Sequence, residues 1–260
     1  MYEVLKKILF LFGAQRVHKA LEFCAPSLSY CPFLMNFVAK RCIFSDAILE
    51  QKIFEQDFLN PVGIAGGFDK SAKMLRLLTY IGFGFLNLAT ITPKAQKASA
   101  QDELDLSSFS SIDAQKMQER LLDLTPFVLP LGIGIAQDEH PNDASVYKEL
   151  TQRFKEQTSY FIIDLSLPNS QEYKLFLDGD FAHNLLQELR QISPKPMLLK
   201  FSADLGQELA KDLCAKAVEA GIDGIIISDT SAELDLIKQA QQEDLDAQKS
   251  KENGFEFFKS

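Results

Sequence analysis

Residues Asn60–Lys70 read NPVGIAGGFDK, a stretch whose residue types and spacing suit a flat or anionic ligand. Ala65, Gly66 and Gly67 carry almost no side chain. At the end of a strand such residues let backbone N–H groups approach an aromatic ring or a phosphate. Lys70 then stands at the mouth, where a cation can meet an anion. Pro61 fits the first residue of a strand, and Val62–Ile64 is an apolar run of strand length. Asp69 suits a helix N-cap, with Met74, Leu75, Leu77, Leu78 and Ile81 at helical spacing behind it. Taken by itself, the stretch reads first as a βα turn that needs glycine for its geometry alone.

The elements that must position this stretch follow from the pattern around it. Apolar, strand-like runs recur at 62–67, 85–91, 130–136, 160–166, 196–202 and 223–229. Helical segments are expected between them near 70–80, 144–157, 179–191 and 205–220, with Gly221 as a C′ residue after the last. Near-continuous apolar strands alternating with helices mean a parallel sheet buried on both faces. Six βα units in series point to a (β/α)8 barrel of the TIM type, incomplete at about six units, rather than an open doubly wound sheet. No GxGxxG follows the first strand, so the dinucleotide fingerprint is absent.

Outside this series the chain changes character. Residues 3–22 and 32–39 suggest helices, the second with Pro32 at its start. The apolar run Ile8–Phe12 has Lys6 and Lys7 before it and Arg16 and Lys19 after it. A signal peptide, a docking helix and an amphipathic helix on a membrane surface are the three readings of this segment. His18 shows no chemistry. Residues 48–58 suggest a strand or hairpin leading into Asn60. Residues 94–125 form a polar crossover with a helix at 112–122, and 231–260 are a charged, solvated stretch. The domain division expected is 1–45 as the helical segment and 46–260 as the partial barrel.

Composition narrows the function classes. A net charge of −9 and a pI near 4.9 argue against a nucleic-acid groove. The four cysteines form no CxxC, and the three histidines lie far apart. Neither zinc nor a disulfide framework is expected, and a reducing, cytoplasmic setting is.

AGGFDK at 65–70, ATITP at 89–93, SLPN at 166–169, LLKFSADL around Lys200 and GIDGIIISDT at 221–230 fall in order on successive strand ends. Together they resemble dihydroorotate dehydrogenase of the membrane-associated, quinone-reducing class. The resemblance implies FMN as cofactor, dihydroorotate and orotate as substrate and product, and a quinone as electron acceptor. It implies that Ala65, Gly66, Gly67, Thr90, Lys200 and Ser228 contact the flavin. Lys200 would sit beside the N1/O2 edge of the ring, where a cation stabilises the reduced anion. Lys70, Asn169 and Thr230 would bind substrate. The N-terminal segment would be the class's quinone-channel extension, peripheral at the inner face of the cell membrane.

The departures from the family pattern bear directly on activity. The second serine of the family's SSPN motif, its catalytic base, is Leu167 here, which has no proton acceptor. Ser166, one residue earlier, would be expected to point to the other side of the strand. Asp164 replaces an Asn that bonds flavin and substrate, Asp229 replaces another Asn, and Gly134 stands at a third flavin-contacting Asn. The family's N-R-M-G-F substrate loop is missing between 94 and 130. Beyond Thr230 the glycine-rich segments that hold the flavin phosphate do not appear. No catalytic residue is therefore assigned, and FMN binding is expected to be weak or lost. A working dehydrogenase, a catalytically silent relative and a membrane-surface or partner-binding protein are the three functions compatible with these residues.

Overall fold

The computed structural model describes residues 14–93, 113–124, 127–136, 144–165, 179–202 and 206–228. Two helices lead the described chain, α1 (Ala14–Ser29) and α2 (Pro32–Cys42). A hairpin of β1 (Gln51–Ile53) and β2 (Gln56–Phe58) follows. Then come β3 (Gly63–Ile64), α3 (Leu75–Leu78), β4 (Phe85–Ile91), α4 (Ala114–Leu124), β5 (Leu131–Ile135) and α5 (Ala144–Phe154). The series continues with β6 (Tyr160–Asp164), α6 (Gly179–Ile192), β7 (Met197–Ser202), α7 (Gln207–Glu219) and β8 (Gly224–Ser228).

β3 to β8 form one parallel sheet of six strands in sequence order. It curls into an α/β half-barrel, the incomplete TIM-type fold that the strand pattern implied. Parallel strands need a crossover between them, and the α-helices supply it. Side chains alternate across each strand. Leu86, Leu88, Leu131, Ile133, Ile135, Phe161, Ile163, Met197, Leu199 and Phe201 belong to the large core shared with helices. The alternate positions Tyr160 and Ile162 are buried with Phe58, and Phe85, Leu198 and Ile226 pack on them, filling the concave side. Both faces of β6 are thus buried, which is why its sequence up to Asp164 lacks a polar–apolar alternation. Each fully buried Leu, Ile or Phe in these layers contributes roughly 1.5–3 kcal/mol.

The hairpin closes the amino-terminal end of the half-barrel. Phe58 meets Phe85 edge-on at 5.7 Å, and the Gln56 side-chain amide donates to the Ser159 carbonyl at 2.9 Å. Its two turn residues, Phe54 and Glu55, both have positive φ (54° and 57°). A two-residue turn with that conformation matches the right-handed twist of its strands.

The interior side of β5 bears Gly132 and Gly134. A Cβ on Gly132 would lie 2.3 Å from the Tyr160 ring and 2.5 Å from Asn87 Oδ1. The space goes instead to a partly buried pair, the Tyr160 hydroxyl donating to Asn87 Oδ1 at 2.6 Å.

Helix expectations met the structure unevenly. The segment near 70–80 holds only one short helix, α3. Asp69 does cap this region: Oδ1 accepts from Lys73 N at 3.1 Å and Oδ2 from Met74 N at 2.7 Å. α4 occupies the helix expected at 112–122, and Gly221 at φ +79° closes α7 as a C′ glycine should.

Candidate active site

All six strands of the sheet run the same way, so Gly66, Thr90, Lys200 and Ser228 lie within two residues of carboxyl ends on one mouth. The glycine loop is seated there by contact with its neighbour strand. A Cβ on Gly66 would meet the Leu88 carbonyl oxygen at 2.5 Å and Ala89 Cα at 3.2 Å. Glycine at 66 therefore has a scaffold reason. Gly67 has none: a Cβ there meets nothing within 4 Å, and its neighbours Ala65 and Phe68 are exposed. Lys70 is half-buried, and burial lowers its ammonium pKa from the ordinary lysine value.

The loop is also fastened to α1. Glu22 accepts from the Ser71 hydroxyl and pairs with Lys73 at 3.6 Å. Burial alone would raise the Glu22 carboxyl, but Ser71, Lys73 and His18 together hold it below the ordinary value. His18, which showed no chemistry in the sequence, sits edge-on to Phe68 at 5.2 Å. Asp69, deep under the loop, is raised by burial against the opposing pull of its two backbone hydrogen bonds.

Thr90 reaches the interior because β4 breaks register. Leu88 pairs with Ile133 and Ile91 with Ile135, so β4 spends one residue more than β5 over the same span. Such a bulge re-aims a side chain. It turns Thr90 against Gly134, where a Cβ would lie 3.1 Å from Thr90 Cα and 3.2 Å from its hydroxyl. The Thr90 hydroxyl then donates to Asp164 Oδ2 at 2.9 Å.

Asp164 is the centre of the mouth. It ends β6 in register with Lys200 on β7, and its side chain is 1% exposed against 26% for Lys200. The Lys200 ammonium donates to Oδ2 at 2.8 Å, so both Thr90 and Lys200 direct a proton at one oxygen. A buried carboxylate is stable only when paired and hydrogen-bonded in this way. The sequence marked Asp164 as the replacement of an Asn that bonds flavin and substrate; the geometry makes it half of an ion pair. The signal that could have found this is the register match of Asp164, the last residue of β6, with Lys200 on the adjacent strand.

Ser166, Leu167, Asn169, Asp229 and Thr230 lie outside the described residues, and Ser228 is described only as the last residue of β8. The residue types at the mouth match those of a flavin-ring site: small residues in the loop, a hydroxyl on β4 and a lysine on β7. The hydrogen-bond pattern does not fit that group, because the donors of Thr90 and Lys200 are turned to Asp164. Among the described residues no group of His, Cys, Asp and Glu could hold a metal ion, and no helix is long and apolar enough to cross a membrane.

Comparison with known proteins agrees with this architecture. The family model for dihydroorotate dehydrogenase matches residues 48–254. The dihydroorotate dehydrogenase (quinone) of Nitratiruptor sp. is 30% identical over an alignment that takes in 100% of this chain and 78% of the relative. The enzyme of the same name from Nautilia profundicola is 30% identical over 91% of this chain and 69% of its own length. Among solved structures, the ligand-free dihydroorotate dehydrogenase of Eimeria tenella superposes with a TM-score of 0.63. That match has 22% identity and covers 79% of this chain and 69% of the other, which speaks to the fold. The ordered strand-end motifs, the parallel half-barrel and these matches agree: the chain belongs to the quinone-type dihydroorotate dehydrogenase family.

Proposed function

We propose that the carboxyl-end mouth is the flavin and dihydroorotate site of this family, retained in outline and impaired in action. Ala65, Gly66, Gly67, Thr90, Lys200 and Ser228 are assigned to FMN, and Lys70, Asn169 and Thr230 to dihydroorotate or orotate. The flavin, when bound, supplies the electron sink for oxidising dihydroorotate in pyrimidine biosynthesis and passes the electrons on to a quinone. The observation that carries the reading is the convergence of Thr90 and Lys200 within 2.9 Å of a single point at the strand ends.

Impairment rests on two features. Leu167 occupies the position of the family's catalytic base and can accept no proton; losing such a base typically costs about 10²–10⁴-fold. Asp164 occupies the donors that the flavin requires. The chain is accordingly proposed to bind FMN weakly and to turn over dihydroorotate very slowly or not at all.

Residues 1–45 are proposed as the membrane- and quinone-facing segment, with 46–260 as the barrel part. The described portion of the first unit is unusually apolar on its surface, with Phe23 and Phe33 each 84% exposed. Arg41 covers the Phe37 ring at 5.4 Å, and Lys19 and Lys40 are exposed. Basic residues beside an apolar face suit attachment at an anionic lipid surface. The competing reading, a non-catalytic membrane-surface or partner-binding protein, is favoured by the same patch together with Leu167.

The experiment is anaerobic mixing with dihydroorotate in excess FMN, for the wild type and for Leu167→Ser, read as bleaching of the flavin. Neither should bleach, because the serine restores only one part of a constellation whose members act together. Bleaching by the wild type would establish a working dehydrogenase with another base. Bleaching by the variant alone would make Leu167 the one decisive loss.

A further inference from the structure

We propose that Asp164 is an internal anion that masks the mouth: it occupies Lys200 and Thr90 and thereby excludes a flat anionic ligand. The flavin identity of that ligand rests on the reading given above; the masking rests on the geometry alone.

Two donors from two different strands meet at Asp164 Oδ2, at 2.8 and 2.9 Å. Bonds between a charged donor and a charged acceptor are the stronger kind, and this acceptor is almost wholly buried at 1% exposure. An incoming anion that needed Lys200 would have to draw the ammonium away from a carboxylate that is almost wholly buried. It would also approach a lysine whose charge is already offset by a carboxylate 2.8 Å away. Both effects act against anions and hardly at all against a neutral ring.

The pairing is also held in place. Asp164 and Lys200 are register partners in adjacent strands, and Thr90 is aimed by the bulge in β4. Replacing the carboxylate by an amide keeps the shape and an accepting oxygen, and removes the charge. Lys200 is then left with a full charge, partly exposed at the mouth, and Asp164→Asn unmasks the site.

The test titrates benzoate, as a simple flat anion, and riboflavin into the wild type, Asp164→Asn and Asp164→Asn/Lys200→Met. Binding is read by NMR for benzoate and by flavin fluorescence for riboflavin. Asp164→Asn should bind benzoate roughly tenfold to a hundredfold more tightly than the wild type, the worth of one charge-assisted hydrogen bond. The double variant should lose that gain. Equal benzoate affinity in wild type and Asp164→Asn, or a gain that survives Lys200→Met, overturns the proposal. A gain for benzoate supports the masking whatever riboflavin does; riboflavin that binds neither the wild type nor Asp164→Asn overturns the flavin reading of the mouth. Thermal unfolding checks that Asp164→Asn folds; should it fail to, Asp164→Ala also removes the charge and carries the same expectations.

Discussion

A Cβ on Gly66 would lie 2.5 Å from the Leu88 carbonyl oxygen, so the glycine loop rests directly on the backbone of β4. Backbone cannot give way as the tip of a flexible side chain can. Gly66→Ala should therefore destabilise the protein by about 1–3 kcal/mol, measured by urea unfolding. Gly67, one residue on, has open space where its Cβ would be and no positive φ. Gly67→Ala should leave stability unchanged or raise it by about 0.4–1 kcal/mol through the unfolded chain. Equal stability of both variants would show that the loop is not seated on β4.

Removing Lys200 leaves Asp164 as a buried charge without its cation. Lys200→Met should cost about 3 kcal/mol, the lower end of the range for breaking a buried pair, because Lys200 is itself 26% exposed. Asp164→Asn/Lys200→Met should be more stable than Lys200→Met alone, since no charge is then stranded. A double-mutant cycle in denaturant checks this, and additive losses would mean that the two side chains do not interact in solution.

Tyr160 is held by burial well above the ordinary tyrosine value of 10.0 and donates its proton to Asn87. Its folded value is raised, so its contribution is complete below the unfolded value. Above about pH 10 the unfolded chain releases this proton while the folded chain keeps it, and stability falls with rising pH. Tyr160→Phe removes the dependence. The difference in unfolding free energy between wild type and Tyr160→Phe should be flat below about pH 10 and shift against the wild type above it. No shift above that pH would mean that the phenol ionises in the native state.

Much of the half-barrel was legible because parallel strands buried on both faces write themselves as apolar runs, as YFIID at 160–164 and MLLKFS at 197–202 show. The length of α3 was not legible. The helical spacing after Asp69 continues to Ile81, but the capped turn and the contact of α1 with the loop take up much of that span. The positions of Thr90 and Lys200 on one mouth followed from strand order. Their shared attachment to Asp164 did not, because it depends on a bulge at Leu88–Ile91 that no periodicity marks. Gly134 read as a departure from a flavin-contacting Asn, and the role of Gly132 was not legible. Both glycines are in fact the room taken by the Tyr160 ring and by Thr90. His18 needed the fold before its contact with Phe68 could be seen.

The retention of FMN through gel filtration tests the central claim most directly. The wild-type protein, incubated with excess FMN and freed of unbound ligand, should emerge colourless or with flavin far below one per chain. The donors that a flavin ring requires are directed at Asp164, and each lost charge-assisted bond weakens binding by roughly 1.5–3 kcal/mol. A yellow protein carrying one flavin per chain would contradict the account, for it would show that Lys200 and Thr90 are given up by Asp164 to the ligand.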